Sequence, residues 1–159
     1  MNRHLLYPQY WPVWLGVGIL VLLTRLPYGL QLGIGKGIGL LLHKVAASRR
    51  HIAEVNIRLC FPEKTNTERK KLVRQVFIDN GIGLIETFIA WFRAPTYLQS
   101  KTEFVGLEKV RAATTKNQGV MLLGAHYSML DLAGSLLSNE LKLSVSYRPQ
   151  DNPVMNYIM

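Results

Sequence analysis

The apolar and polar positions divide the chain into a greasy leading third and a mixed remainder. Residues 13–23 carry no polar side chain. A bilayer-spanning helix needs about 20 apolar residues. The pattern therefore predicts one tilted or partly re-entrant membrane segment over residues 11–32, running on through Arg25 and Pro27 into Tyr28-Gly29-Leu30-Gln31-Leu32. Arg25 can snorkel, and membrane helices tolerate a proline kink. A hydrophobic helix lying on the bilayer, or packed against the domain, is the other reading of the same residues. Tyr7, Tyr10, Trp11 and Trp14 gather at the leading edge as an interfacial aromatic belt would. No small-residue cleavage site follows the apolar core, so the segment reads as retained rather than as a signal peptide. The alternating Gly33-Ile-Gly35-Lys-Gly37-Ile-Gly39 lacks the spacing and the Gly-Lys-Ser/Thr end of a nucleotide loop. Gly35 and Gly39, four apart, suit close helix contact instead.

Beyond it, residues 48–59 place apolar side chains at 52, 55 and 59, a short amphipathic helix stopped by Phe61-Pro62. Thr65-x-x-Glu68 is a capping box opening a long helix, in which Leu72, Val76, Phe77, Asn80, Leu84, Phe88 and Trp91 recur until Arg93-Ala94-Pro95. Its first turns are basic through Arg69, Lys70, Lys71 and Arg74, either a solvated face or a phospholipid-facing one. Residues 102–105 then read as a strand, Gly106 as a turn, and 107–116 as a helix with Leu107, Val110 and Ala113 inward. The compact apolar run 120–124 has the makeup of a strand covered on both faces. Residues 129–139 read as a helix and 143–147 as a strand. Strand, helix, strand, helix, strand predicts an α/β fold. The last residues, from Asn152, look like a helix cut after two turns, so the chain reads as the N-terminal part of a longer protein. Residues 1–45 are expected to form a membrane anchor with a glycine-rich juxtamembrane segment, and 46–159 the α/β domain.

Charge narrows the function classes. The chain of 159 residues carries 19 Lys+Arg against 10 Asp+Glu, a net +9, which suits an anionic surface. The basic residues before Glu54, the first carboxylate, accompany the apolar run, and no aromatic-basic recognition stripe is seen. That favours a membrane over nucleic acid. Lys36, Lys44, Arg49, Arg50 and Arg58 lie behind the segment and Arg3 in front, so the positive-inside rule predicts a single-pass protein with its bulk in the cytoplasm. A single cysteine, Cys60, excludes an intrachain disulfide, and no metal-ligand spacing surrounds it.

One constellation carries chemistry: His126-Tyr-Ser-Met-Leu-Asp131, directly after the apolar run. The carboxyl ends of strands are where ligands bind in open α/β sheets. Asp131 there can hold one imidazole nitrogen of His126 protonated and leave the other as a base for an alcohol. The nucleophile is then the substrate hydroxyl. Ser128-x-x-Asp131 also fits a capping box, which would make Asp131 a helix starter only. Arg148, after the last strand, can grip a phosphate with its planar fork or pair with Asp151. His4, His43 and His51 have no partner spacing and read as interfacial or surface residues.

Several strings together resemble one family. Tyr10-Trp11-Pro12-Val13-Trp14-Leu15-Gly16, Asn56-Ile57-Arg58-Leu59-Cys60-Phe61-Pro62-Glu63, Gly106-Leu107-Glu108, Gly119-Val-Met-Leu-Leu-Gly-Ala-His126 with Asp131, and Tyr147-Arg148-Pro149 with Asn152-Pro153 resemble the late acyltransferases of lipid A biosynthesis. These lauroyl and myristoyl transferases are related to the lysophospholipid acyltransferases. The resemblance implies a single N-terminal anchor in the bacterial inner membrane and an incomplete glycerolipid-acyltransferase-like α/β domain at the cytoplasmic face. It further implies transfer of an acyl chain, of lauroyl type, from acyl carrier protein to the hydroxyl of a hydroxyacyl chain on the di-Kdo lipid A precursor. His126 would be general base, Asp131 its partner and Arg148 a substrate contact, with no metal and no bound cofactor. Many members of this branch carry glutamate where Asp131 stands. The family is about twice this length, so the 159 residues alone are expected to be inactive. A lysophosphatidic acid acyltransferase and a non-catalytic adaptor for anionic membranes are the rival readings.

Overall fold

The computed structural model describes residues 3–115, 119–125, 128–146 and 148–158. Every regular element among them is helical: α1 (Trp11–Leu23), α2 (Tyr28–Val45), α3 (Ala47–Cys60), α4 (Asn66–Phe92), α5 (Leu107–Thr115), α6 (Leu130–Leu137), α7 (Pro153–Ile158), and 3-10 turns at Arg3–Leu6, Pro8–Tyr10 and Pro95–Lys101.

The greasy third folds as two helices rather than one span. Pro27 has no N–H to donate and pushes Leu26 out of the helical region. α1 therefore ends at Leu23, with Thr24 donating from Oγ1 to the Val21 carbonyl (2.8 Å), and α2 starts anew at Tyr28. At about 1.5 Å per residue α1 is about 20 Å long, short of the ~30 Å hydrocarbon core. α2 is longer but interrupted by Gln31, Lys36, His43 and Lys44. No helix among the described residues is long and apolar enough to cross a membrane. This overturns the membrane span over residues 11–32 and the single-pass inner-membrane location drawn from it. The corner is locked by Gln31, which is buried and donates from Nε2 to the carbonyls of Thr24 (2.9 Å) and Leu26 (2.8 Å). At the other end of α2, Arg50 of α3 donates to the carbonyls of His43 and Lys44, satisfying acceptors that a helix end leaves open.

α4 is the longest helix and the one the rest packs on. It opens with a complete capping box: Glu68 N–H donates to Thr65 Oγ1, and the Glu68 carboxylate accepts from Thr65 N–H at 2.8 Å. The Thr65 hydroxyl also donates to that carboxylate at 2.7 Å, and this bond together with the one from Thr65 N–H holds the Glu68 carboxyl below the usual carboxylate range. α2 crosses α4 backbone against backbone. A Cβ on Gly35 would sit 2.8 Å from Ile82 Cα, one on Gly39 would run into the Phe77 carbonyl, and one on Gly81 would strike the backbones of Gly35 and Gly39. His43 meets Phe77 edge to face at 5.3 Å along the same seam. Beyond the crossing, Ile85 and Ile89 of α4 form the core with Leu98 of the third 3-10 turn and Leu132 of α6. The buried positions of α4 also include Val73 and Ile78, whereas Val76 and Leu84 of the apolar repeat read from the sequence are exposed.

The expected α/β sheet is absent among the described residues. Residues 102–105, 120–124 and 143–146 have no ladder partner, and Tyr147 lies outside the described residues. An apolar extended run becomes a strand only when neighbours take its backbone groups and cover its faces. Here Met121 and Leu123 are 92% and 97% exposed. Among the described residues the chain is therefore helical, not α/β. Gly106 does turn the chain, at φ +87°, a left-handed conformation that only glycine adopts without strain.

The crossing yields a paired test. Gly39→Ala forces two backbones apart and is expected to cost about 1–3 kcal/mol. Gly37→Ala, with nothing within 4 Å of its Cβ, is expected to stabilise by up to about 1 kcal/mol through helix propensity. Denaturant titration followed by helical circular dichroism measures both.

Candidate active site

The site segment leans on α4. Ser128 packs on Gly83 so closely that a Cβ there would lie 2.6 Å from Ser128 Cβ, which seats the lead-in to α6 against the long helix. Met129 is the N-cap residue of α6, with no side-chain cap hydrogen bond, so the Ser128-x-x-Asp131 capping box is not formed. Asp131 stands exposed in the first helical turn, where the helix dipole favours a negative charge. His126 and Tyr127 lie outside the described residues. Arg148 pairs with Asp151 at 3.8 Å, their side chains 88% and 95% exposed. It is not brought onto Asp131 by any ion pair among the described residues. Asn152 caps α7, its Oδ1 accepting from the N–H groups of Val154 (2.9 Å) and Met155 (3.3 Å).

Beside this segment lies a cleft of about 530 Å³ between the start of α2, the last turns of α4, the 3-10 turn before Thr102, and α6. Its walls are apolar through Leu98, Met129, Leu132 and Leu136, and Lys101 stands among its lining residues. Thr102 and Glu103 also line it, and Tyr28 and Glu86 do so as a bonded pair, Tyr28 donating from its hydroxyl to Glu86 Oε1 at 3.2 Å. Glu86 is buried, and burial pushes its carboxyl above the usual value of 4.5, partly offset by the Tyr28 hydrogen bond. Burial, with the neighbouring carboxyl second, pushes the Tyr28 phenol up to about 12. Sequence reading passed over Glu86. The available signal was its position as the one charged residue in the apolar stretch 82–92, since a buried charge without a partner is expensive.

Other polar groups are engaged elsewhere. Arg111 of α5 forms an ion pair with Glu140 across a second cleft of about 500 Å³. His4 packs on Tyr7 and His43 on Phe77. No group of three or more metal-ligating side chains occurs among the described residues.

The sequence profile of the bacterial lipid A biosynthesis acyltransferases matches residues 1–159. The chain belongs to that family. It is 36% identical over 157 residues to the lipid A biosynthesis lauroyltransferase of Escherichia coli K12, covering 99% of this chain and 51% of that protein. It is 33% identical to the palmitoleoyltransferase of the same organism, with the same coverage. The E. coli myristoyltransferase is 27% identical over 158 residues, 99% of this chain and 49% of that protein. The chain spans about half the length of these relatives. No solved structure matches it.

The raised Glu86 carboxyl has a pH signature. Below its ordinary value of 4.5 it is neutral folded and unfolded, with no cost. As pH rises above that value the unfolded chain ionises while the folded carboxyl keeps its proton, so stability falls until the folded pKa is passed and then levels off. Glu86→Gln cannot ionise and keeps an acceptor for Tyr28. It is expected to match the wild type at acid pH and exceed it at neutral pH, in thermal melts from about pH 4 to pH 8.

Proposed function

We propose that this chain forms the N-terminal part of a lipid A acyltransferase that moves a fatty acyl chain, of lauroyl type, from acyl carrier protein to the hydroxyl of a hydroxyacyl chain on the di-Kdo lipid A precursor. The observation that carries it is the family match over the full 159 residues. Identity is higher to the lauroyltransferase (36%) and the palmitoleoyltransferase (33%) than to the myristoyltransferase (27%), which favours the lauroyl type over the myristoyl. Asp131, exposed and free of a capping role, supports the dyad.

In the mechanism, His126 takes the proton of the acceptor hydroxyl as its oxygen attacks the thioester carbonyl. Asp131 orients the ring and stabilises the imidazolium. Collapse of the tetrahedral intermediate forms the ester and expels the carrier's thiol, which takes a proton from the imidazolium. No metal or bound cofactor is needed, because the phosphopantetheine arm arrives with the carrier protein. Arg148, exposed and only loosely paired with Asp151, supplies a fork for a substrate phosphate. Membrane lipid is the partner assigned to Trp11, Leu15, Ile19 and Leu22 of α1, an exposed apolar row suited to lying along a lipid surface without crossing it.

The test is transfer of labelled acyl chains from acyl carrier protein to the lipid A precursor by the full-length protein. His126→Ala is expected to lower the rate by about 10²–10⁴-fold at unchanged protein level, the usual worth of a general base, and Asp131→Asn to lower kcat with little change in KM. A His126→Ala protein as active as wild type overturns the dyad. Acylation of lysophosphatidic acid in place of the lipid A precursor overturns the acceptor.

A further inference from the structure

Tyr28 and Glu86 take no part in the chemistry assigned to His126 and Asp131, yet they are held at some expense. A carboxyl on the core face of α4 forfeits hydration, and an apolar side chain there would be retained more cheaply. Its partner comes from 58 residues away, carried to it by the crossing of α2 over α4. Both side chains line the same cleft, whose other walls are mostly apolar. At about 530 Å³ the cleft falls within the ordinary range of ligand sites, and a greasy lining with a few placed polar groups is their usual makeup.

The lining also states what fits. Sugars and nucleotides carry polar groups all round and would leave most of them unpaired against Leu98, Leu132 and Leu136. A phosphate-rich ligand asks for more than the single cation Lys101 that lines the cleft. An alkyl chain satisfies the walls, and one hydroxyl on it satisfies the polar pair. With Tyr28 bonded to Oε1, the second carboxyl oxygen of Glu86 can still accept from an alcohol. A methylene in the same place would leave a buried polar group without a partner, which is the condition under which sites discriminate strongly. Met129 lines the cleft two residues before Asp131, so a chain held there runs beside the start of α6.

We propose that this cleft binds a single alkyl chain bearing a hydroxyl, and that Tyr28 and Glu86 are the specificity-determining pair that reads the hydroxyl. The choice of a fatty chain rests on the acyl-transfer reading above; the cleft and its polar pair do not.

Calorimetric titration of the full-length protein with 3-hydroxydecanoate and with decanoate tests it. The hydroxylated chain is expected to bind at least about tenfold more tightly. Glu86→Leu is expected to erase the preference to within about twofold while still binding decanoate, with its fold checked by circular dichroism. Leu132→Trp, which fills the cleft, is expected to lose both probes. Equal binding of the two probes by wild type, a preference surviving in Glu86→Leu, or undiminished binding by Leu132→Trp each overturns the proposal. Acyl transfer measured on the same preparations separates the two readings. A hydroxyl preference that depends on Glu86, without transfer, leaves the cleft standing and removes the acyltransferase reading. Transfer without the preference removes only the cleft.

Discussion

The contact of α2 with α4 is made by backbone, and everything near the candidate site depends on it. Gly35, Gly39 and Gly81 let the two helices approach to a separation no Cβ would permit. Once α2 is held there, its first residue, Tyr28, stands over Glu86 a turn and a half further along α4 from Gly81. Gly83 repeats the device on a neighbouring face, where it admits Ser128 and with it the lead-in to α6. One helix thus accepts two partners through missing side chains, and the cleft is the space left between them. Dispersion contacts at such short range compensate for the poor helix propensity of glycine.

Polar groups in the interior follow the same economy. Gln31 spends both hydrogens of its amide on the carbonyls released where α1 ends. Tyr28 gives its single hydrogen to Glu86. Each is a long-range or corner contact that fixes a geometry, and hydrogen bonding of this kind contributes more by making alternatives costly than by its own strength. By contrast, the charged pairs Arg50–Glu54 and Arg148–Asp151 are open to water at 3.9 and 3.8 Å and hold little in place.

Much of this helical frame was legible in the sequence, because its signals are local. Thr65 and Glu68 mark the start of α4, Ala94-Pro95 its end, and Phe61-Pro62 the end of α3. Gly35 and Gly39 announced a close contact, although not its partner. What was misread depends on neighbours far away in sequence. The run 120–124 is apolar enough for a covered strand, but strand formation is settled by pairing, which no local pattern guarantees. The membrane span failed on a local signal given too little weight: Leu26-Pro27 breaks the helix, and α2 starts anew at Tyr28. At the site, the place of Asp131 after the apolar run singled it out, and it stands exposed in the first turn of α6. Glu86 was not sought, since helical periodicity assigns a carboxylate to the outside.

The corner between α1 and α2 also works as a lever. Gln31 clamps the end of α1 to the second turn of α2, and Tyr28 is one turn away on the same helix. A tilt of α1 would therefore pull first on these two hydrogen bonds, which sit one helical turn from the residue that forms one jaw of the cleft.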